Sequence, residues 1–168
     1  MDRPRDDDGR ARNARPRDAL GRPLPYGSEG VERIPDDLDL PPAETLRYAQ
    51  DLLDRGLAFN AHEVLEAAWK SCPDDERMLW QGLAQLAVGI THVQRGNPKG
   101  AFTLLTRAAK RLDHAEPVPY DIDSPGLIAY ANDLIAHLET ELRDADLKPQ
   151  LVRKVQASDS DSAAGSSA

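Results

Sequence analysis

The stretch MLWQGLAQLAVGITHVQ, Met78 to Gln94, decides how this chain folds. It carries no formally charged residue, with His92 taken as neutral. It shows no sustained two-residue alternation, so it does not read as a half-buried strand. A helix this apolar is buried on most sides. The stretch therefore predicts the central member of a helical bundle, over about residues 75–95. Gly82 and Gly89 stand seven residues apart and fall on one face. Another helix can approach closely there, which offsets a helix-propensity cost of about 1 kcal/mol for each glycine.

The flanking sequence supplies the neighbours. A first helix is predicted from Pro42 to Arg55, with proline in its first turn and Gly56 as its stop. Leu46, Ala49, Leu53 and Leu57 recur there at helical spacing. A second runs from Ala58 to Ser71 and ends at CPDD; the central helix follows with Asp74 or Asp75 as its cap and closes at Gly96. GNP announces a fourth, with Asn97 as N-cap and Pro98 as first residue, running to about Asp113. After the linker EPVPYDID, a fifth begins at SPG with Ser124 as cap. It presents Leu127, Ala131, Leu134, Leu138 and Leu142 before Pro149. The predicted fold is all-α: a compact bundle of about five helices with antiparallel neighbours, occupying residues 41–148. Residues 1–40, rich in Arg, Asp and Pro, are expected to be mostly disordered, with Leu24 and Tyr26 as their means of docking. Residues 149–168 are expected to form a disordered tail.

A chain of 168 residues favours one domain. The charge is uneven: +2 over residues 1–22, −10 over 23–150 and zero over 151–168. An acidic body argues against nucleic acid as a partner. Cys72 is the only cysteine, so no internal disulfide can form, and a lone thiol fits a reducing cytoplasm. The start MDRPRDDDGR lacks the apolar run of a secretory signal, and no window of about 18 apolar residues predicts a membrane span.

Polar residues inside the bundle carry the functional question. FNAHEVLEAAW, Phe59 to Trp69, stands one residue from the H-E-x-x-H pattern of zinc hydrolases, with Glu66 where the second histidine would be. His62 and Glu66 share one side of the second helix, Glu63 lies further toward solvent, and Gln81, Gln85 and His92 share a flank of the central helix. A turn near Pro73 would set His62 opposite Ala84 or Gln85, allowing a His62/Glu66/Gln85 cluster. His92 would lie about 10 Å further along. Read as chemistry, His62, Glu63, Glu66, Gln85 and His92 are candidates for a metal or acid–base site. Read as structure, they are half-buried groups that satisfy one another and fix register. A third reading is a small-ligand pocket lined by Trp69, Trp80 and Gln81.

Two resemblances rest on these residues. Ala61 to Trp69, Gln81 to Ala87, His92, and Arg95 to Ala101 resemble, in order, the A-H-E-x-x-E-x-x-W, Q-G-L-x-Q-L-A, helix-borne His and R-G-N-x-x-G-A segments of the bacterial and archaeal domain of unknown function 309 family. The resemblance covers roughly residues 44–112. It implies a compact all-α domain and assigns no catalytic role. VGITHVQRGNPKGAFTLLTRAAKRL is similar to one helical hairpin of a tetratricopeptide repeat, with Gly89, His92, Gly96, Ala101 and Ala108 in its small or aromatic slots. The leading expectation is a cytoplasmic, non-enzymatic interaction or scaffold module. It would have a protein partner or self-association, no nucleic acid, no membrane and no required cofactor. A metal-dependent hydrolase centred on His62 and Glu66, holding a divalent metal, and a small-ligand sensor are the competing expectations.

Overall fold

Proline, asparagine and glycine punctuate the helices much as the sequence suggests. The computed structural model describes residues 16–32, 34–35 and 37–154. The expected disorder at residues 1–15 and 155–168 falls outside them. Five α-helices follow in order: α1 Pro42–Asp54, α2 Ala58–Ser71, α3 Arg77–Gln94, α4 Pro98–His114 and α5 Ser124–Ala136. No strand occurs among the described residues, only two isolated β-bridges, Arg17 with Pro23 and Ile122 with Val152.

Two helix ends share one device. Gly56 after α1 and Gly96 after α3 have φ of 76° and 71°. A left-handed glycine lets the next amide reach back over the last turn. Leu57 N–H donates to Leu52 O at 2.8 Å, and Asn97 N–H to His92 O at 2.9 Å. The starts vary more. Asn97 Oδ1 accepts from Gly100 N–H at 3.0 Å, as expected. Asp74–Glu76 instead forms a 3-10 turn without a side-chain cap, and α3 begins at Arg77.

The fifth helix corrects the prediction at both ends. Its N-cap is Asp123, whose Oδ1 accepts from Gly126 N–H at 3.1 Å. Ser124 is the first helical residue, and its hydroxyl donates to Leu112 O at 3.0 Å, tying α5 to α4. The helix stops at Ala136 rather than continuing to Leu142. A straight continuation would carry Leu142 about 9 Å past Ala136 at 1.5 Å per residue. Leaving the helix lets Leu138 and Leu142 pack back on the core. Tyr130 OH holds the returning chain by donating to Asp146 O at 2.7 Å.

Each helix packs on its successor, and α3 lies against both α2 and α4. Leu79, Trp80, Leu83, Leu86, Ala87 and Ile90 of α3 are buried. The pairing of α3 with α4 is antiparallel: Gly82 meets Leu112 and Gly89 meets Leu105. The small-residue face read from the sequence is the face where these two helices touch.

The segments flanking the bundle are more ordered than composition suggests. Ile34 is buried, and Val31 and Leu38 pack against the core. Arg95 Nε donates to Leu20 O at 2.8 Å. The guanidinium groups of Arg17 and Arg95 lie 5.1 and 5.7 Å from the centre of the Phe59 ring. Arg17, Leu20 and Ile34 thus join the segment to the bundle, with Leu24 half-buried and Tyr26 55% exposed. At the other end, Leu151 is fully buried, and its carbonyl accepts from Asp123 N–H at 2.9 Å. Residues 149–154 belong to the packed structure.

Candidate functional site

The candidate polar residues lie on α2 and α3, and the structure distributes them into separate local pairs. His62 Nε2 lies 3.0 Å from Glu66 Oε2, one turn away on α2. The other oxygen of Glu66 faces Lys70 Nζ at 3.4 Å. Gln85 Oε1 accepts from Arg111 Nε of α4 at 2.9 Å. His92 Nδ1 faces Asn97 Nδ2 at 3.2 Å, where the chain turns from α3 into α4. Glu63 is half-buried on the neighbouring side of α2. The helix period thus brings His62 and Glu66 together as expected, whereas Gln85 and His92 are bonded elsewhere.

Electrostatics follow burial. Desolvation pushes His62 below the ordinary imidazole value, and the Glu66 carboxylate opposes it. Its Nδ1 is buried with no hydrogen-bond partner. Desolvation and the Arg95 charge likewise lower His92. Its ring is therefore suited to accept from the Asn97 amide. Among the described residues, no group of three or more His, Cys, Asp and Glu side chains is arranged to hold a metal ion.

The tryptophans part company. Trp80 is 1% exposed, and its Nε1 donates to Glu76 Oε1 at 3.1 Å. Tyr120 OH donates to the other Glu76 oxygen at 3.0 Å. Trp80, Glu76, Tyr120, Cys72 and Thr45 contribute to a cavity of about 430 Å³. Trp69 and Gln81 do not line it. Trp69 packs on the core with the Arg77 guanidinium 5.9 Å from its ring centre, and Gln81 is half-buried. Burial of the Cys72 thiol and the nearby Glu76 charge raise its pKa, which suppresses thiolate chemistry. Sequence reading missed Glu76, although its position four residues before Trp80 is the spacing at which the two side chains meet.

Two further concavities were not anticipated. The larger, about 570 Å³, lies between the α1–α2 and α3–α4 turns and the chain after α5, with Gln94, Asn97, Leu142 and Lys148 among its walls. The smaller, about 380 Å³, is lined by Met78, Arg107, Lys110, Arg111 and His114. Among the described residues, no helix is long and apolar enough to cross a membrane.

Comparison with known proteins places these features in a wider group. Residues 46–104 match the model of the family described as Domain of unknown function (DUF309). The chain is also similar to Uncharacterized protein YpuF of Bacillus subtilis (strain 168), 32% identical over 85 residues. That alignment covers 49% of this chain and 49% of YpuF, so the chain spans about half the length of the curated relative it matches. No solved structure matches. The span that matches the DUF309 model runs from Leu46 in α1 to Leu104 in α4 and takes in the His62–Glu66 pair and both glycines of the α3–α4 contact.

Proposed function

We propose that this protein is a non-enzymatic helical interaction module working in the cytoplasm, and that its His, Glu and Gln candidates serve the bundle. One observation carries the reading: His62, Glu66, Gln85 and His92 are engaged in separate structural pairs. Glu66 is shared between His62 and Lys70, Gln85 ties α3 to α4 through Arg111, and His92 braces the α3–α4 turn through Asn97. A half-buried polar group that holds a partner needs no ligand, and the Gln85–Arg111 bond, which crosses from α3 to α4, also fixes their register. The lone thiol of Cys72 supports the cytoplasmic assignment.

A metal-centred enzyme is the second reading, and the buried, unpartnered Nδ1 of His62 is what favours it. Metal content of untagged protein purified without chelator separates the two, alongside melting curves with and without EDTA. The module reading expects no stoichiometric metal and superimposable curves. A stoichiometric ion that disappears in His62→Ala, with a lower melting point in EDTA, sinks it and makes His62 and Glu66 a metal centre.

A further inference from the structure

Four cationic or ionisable side chains of α4 share one face. Arg107, Lys110, Arg111 and His114 stand at i, i+3, i+4 and i+7. With Met78 of α3 they line the 380 Å³ cleft. Arg111 is held in place by its bond to Gln85, and the His114 ring turns back onto the Lys110 carbonyl at 2.7 Å. Met78 leaves 42% of its surface in solvent beside them.

The helix dipole favours cations near a C-terminus, and that accounts for Arg111 and His114 in the last turn. It does not account for Arg107, nearly two turns from the end, or for an exposed methionine at the same place. Arg55, Lys70, Arg77 and Arg143 each have a carboxylate within 4.0 Å. Among the described residues, Arg107, Lys110, Arg111 and His114 have none. Other described cations, Arg47 and Lys99 among them, also lack a carboxylate within 4.0 Å; these four differ in sharing one cleft. A chain of net charge −8 thus leaves these groups of one cleft without an ion-pair partner.

We propose that this cleft docks an acidic segment of a partner protein, one that also presents an apolar side chain to Met78. The inference rests on the interaction-module reading and names its surface. Guanidinium groups pair bidentately with carboxylates, and Met adapts to varied apolar shapes. A short acidic segment matches the local charge. An extended nucleic acid would run from the cleft onto a body of charge −10.

The test uses the full chain and a labelled acidic amphipathic peptide, with fluorescence anisotropy at near-physiological salt. Arg107→Glu/Lys110→Glu is expected to weaken binding at least about tenfold, and Met78→Ala about threefold. Arg47→Glu/Lys154→Glu, the same charge change at exposed positions outside the cleft lining, is expected to leave affinity within about twofold. Melting curves confirm that the variants fold. No binding to the wild type, or equal weakening by the control pair, overturns the proposal. So does a single-stranded oligonucleotide that binds more tightly and displaces the peptide, or sedimentation showing that Arg107→Glu/Lys110→Glu dissociates a homodimer. The metal-content and EDTA measurements are unaffected by any of these results, so failure of the cleft and failure of the module reading are distinguishable.

Discussion

Gly89→Ala tests the account of the α3–α4 contact. A Cβ at Gly89 would stand 2.7 Å from Leu105 Cδ2, 2.8 Å from its Cγ and 3.3 Å from its backbone N. Leu105 is fully buried, so its side chain has little room to retreat, and the backbone amide belongs to α4 itself. Relieving the clash means prying the helices apart. Forcing a methyl group into such a contact costs about 1–3 kcal/mol, against a gain of about 1 kcal/mol from replacing a mid-helix glycine. The net expectation is a loss of up to about 2 kcal/mol, or a melting point lower by up to about 8 °C for a chain of this size. Gly82→Ala is the internal control. Its Cβ would meet Leu112 Cγ and Cδ2 at 3.1 and 3.2 Å and Arg111 Cβ at 3.3 Å, all side-chain atoms. There the propensity gain roughly balances the crowding, and stability should change by less than about 0.5 kcal/mol. Denaturant and thermal melts of both variants read the difference. A Gly89→Ala protein more stable than wild type would refute the claim that these helices meet at their closest approach there.

Three other perturbations probe separate parts of the molecule. His62 has a folded pKa below its unfolded value, so the unfolded chain binds its proton first and the stability due to the neutral ring is lost as pH falls from about 6.5 through the lower folded value. Melting points measured down this range should fall more steeply for wild type than for His62→Gln, and parallel curves would contradict the burial argument. Glu76→Gln replaces two acceptor oxygens with one, leaving Trp80 Nε1 or Tyr120 OH facing an amide NH₂; denaturant melts should show a loss of about 1–3 kcal/mol, and a neutral result would mean the carboxylate is not what organises that cavity. Arg95→Ala removes the bond to Leu20 O and one guanidinium from Phe59, so trypsin should cut after Arg17 roughly tenfold faster while the bundle's melting point moves little; unchanged protection would show that Arg95 does not hold the segment in place.

The starts of α1 and α4 and the stops of α1 and α3 were legible because each is decided within a few residues. Pro42, Gly56, Asn97 and Gly96 act through their own backbone angles or an immediate neighbour, and the uncharged run of α3 declares its burial without reference to any other segment. The end of α5 was not legible. Leu138 and Leu142 keep helical spacing, and only tertiary packing makes it better for the chain to leave the helix and return past Tyr130. The contacts of residues 16–40 were not legible for a similar reason. Arg17 and Leu20 look like disordered composition until Phe59 and Arg95 are placed beside them.

The candidate site divides along the same line. His62 with Glu66 is an i, i+4 pair and could be read from one helix; Gln85 with Arg111 spans two, and its register depends on where α3 meets α4. Gly82 supplies that register, since its face touches Leu112 and Arg111. Met78 precedes Gly82 by one turn on the same helix, which brings it to the end of α4 that carries Arg107, Lys110 and His114. The basic face is periodic and was open to inspection in the sequence. Its apolar companion lies on another helix, and only the glycine contact between the two helices brings them together. The cleft and the bundle are therefore one construction problem: a substitution that separates α3 from α4 at Gly82 should displace Met78 from the cations before it unfolds the domain.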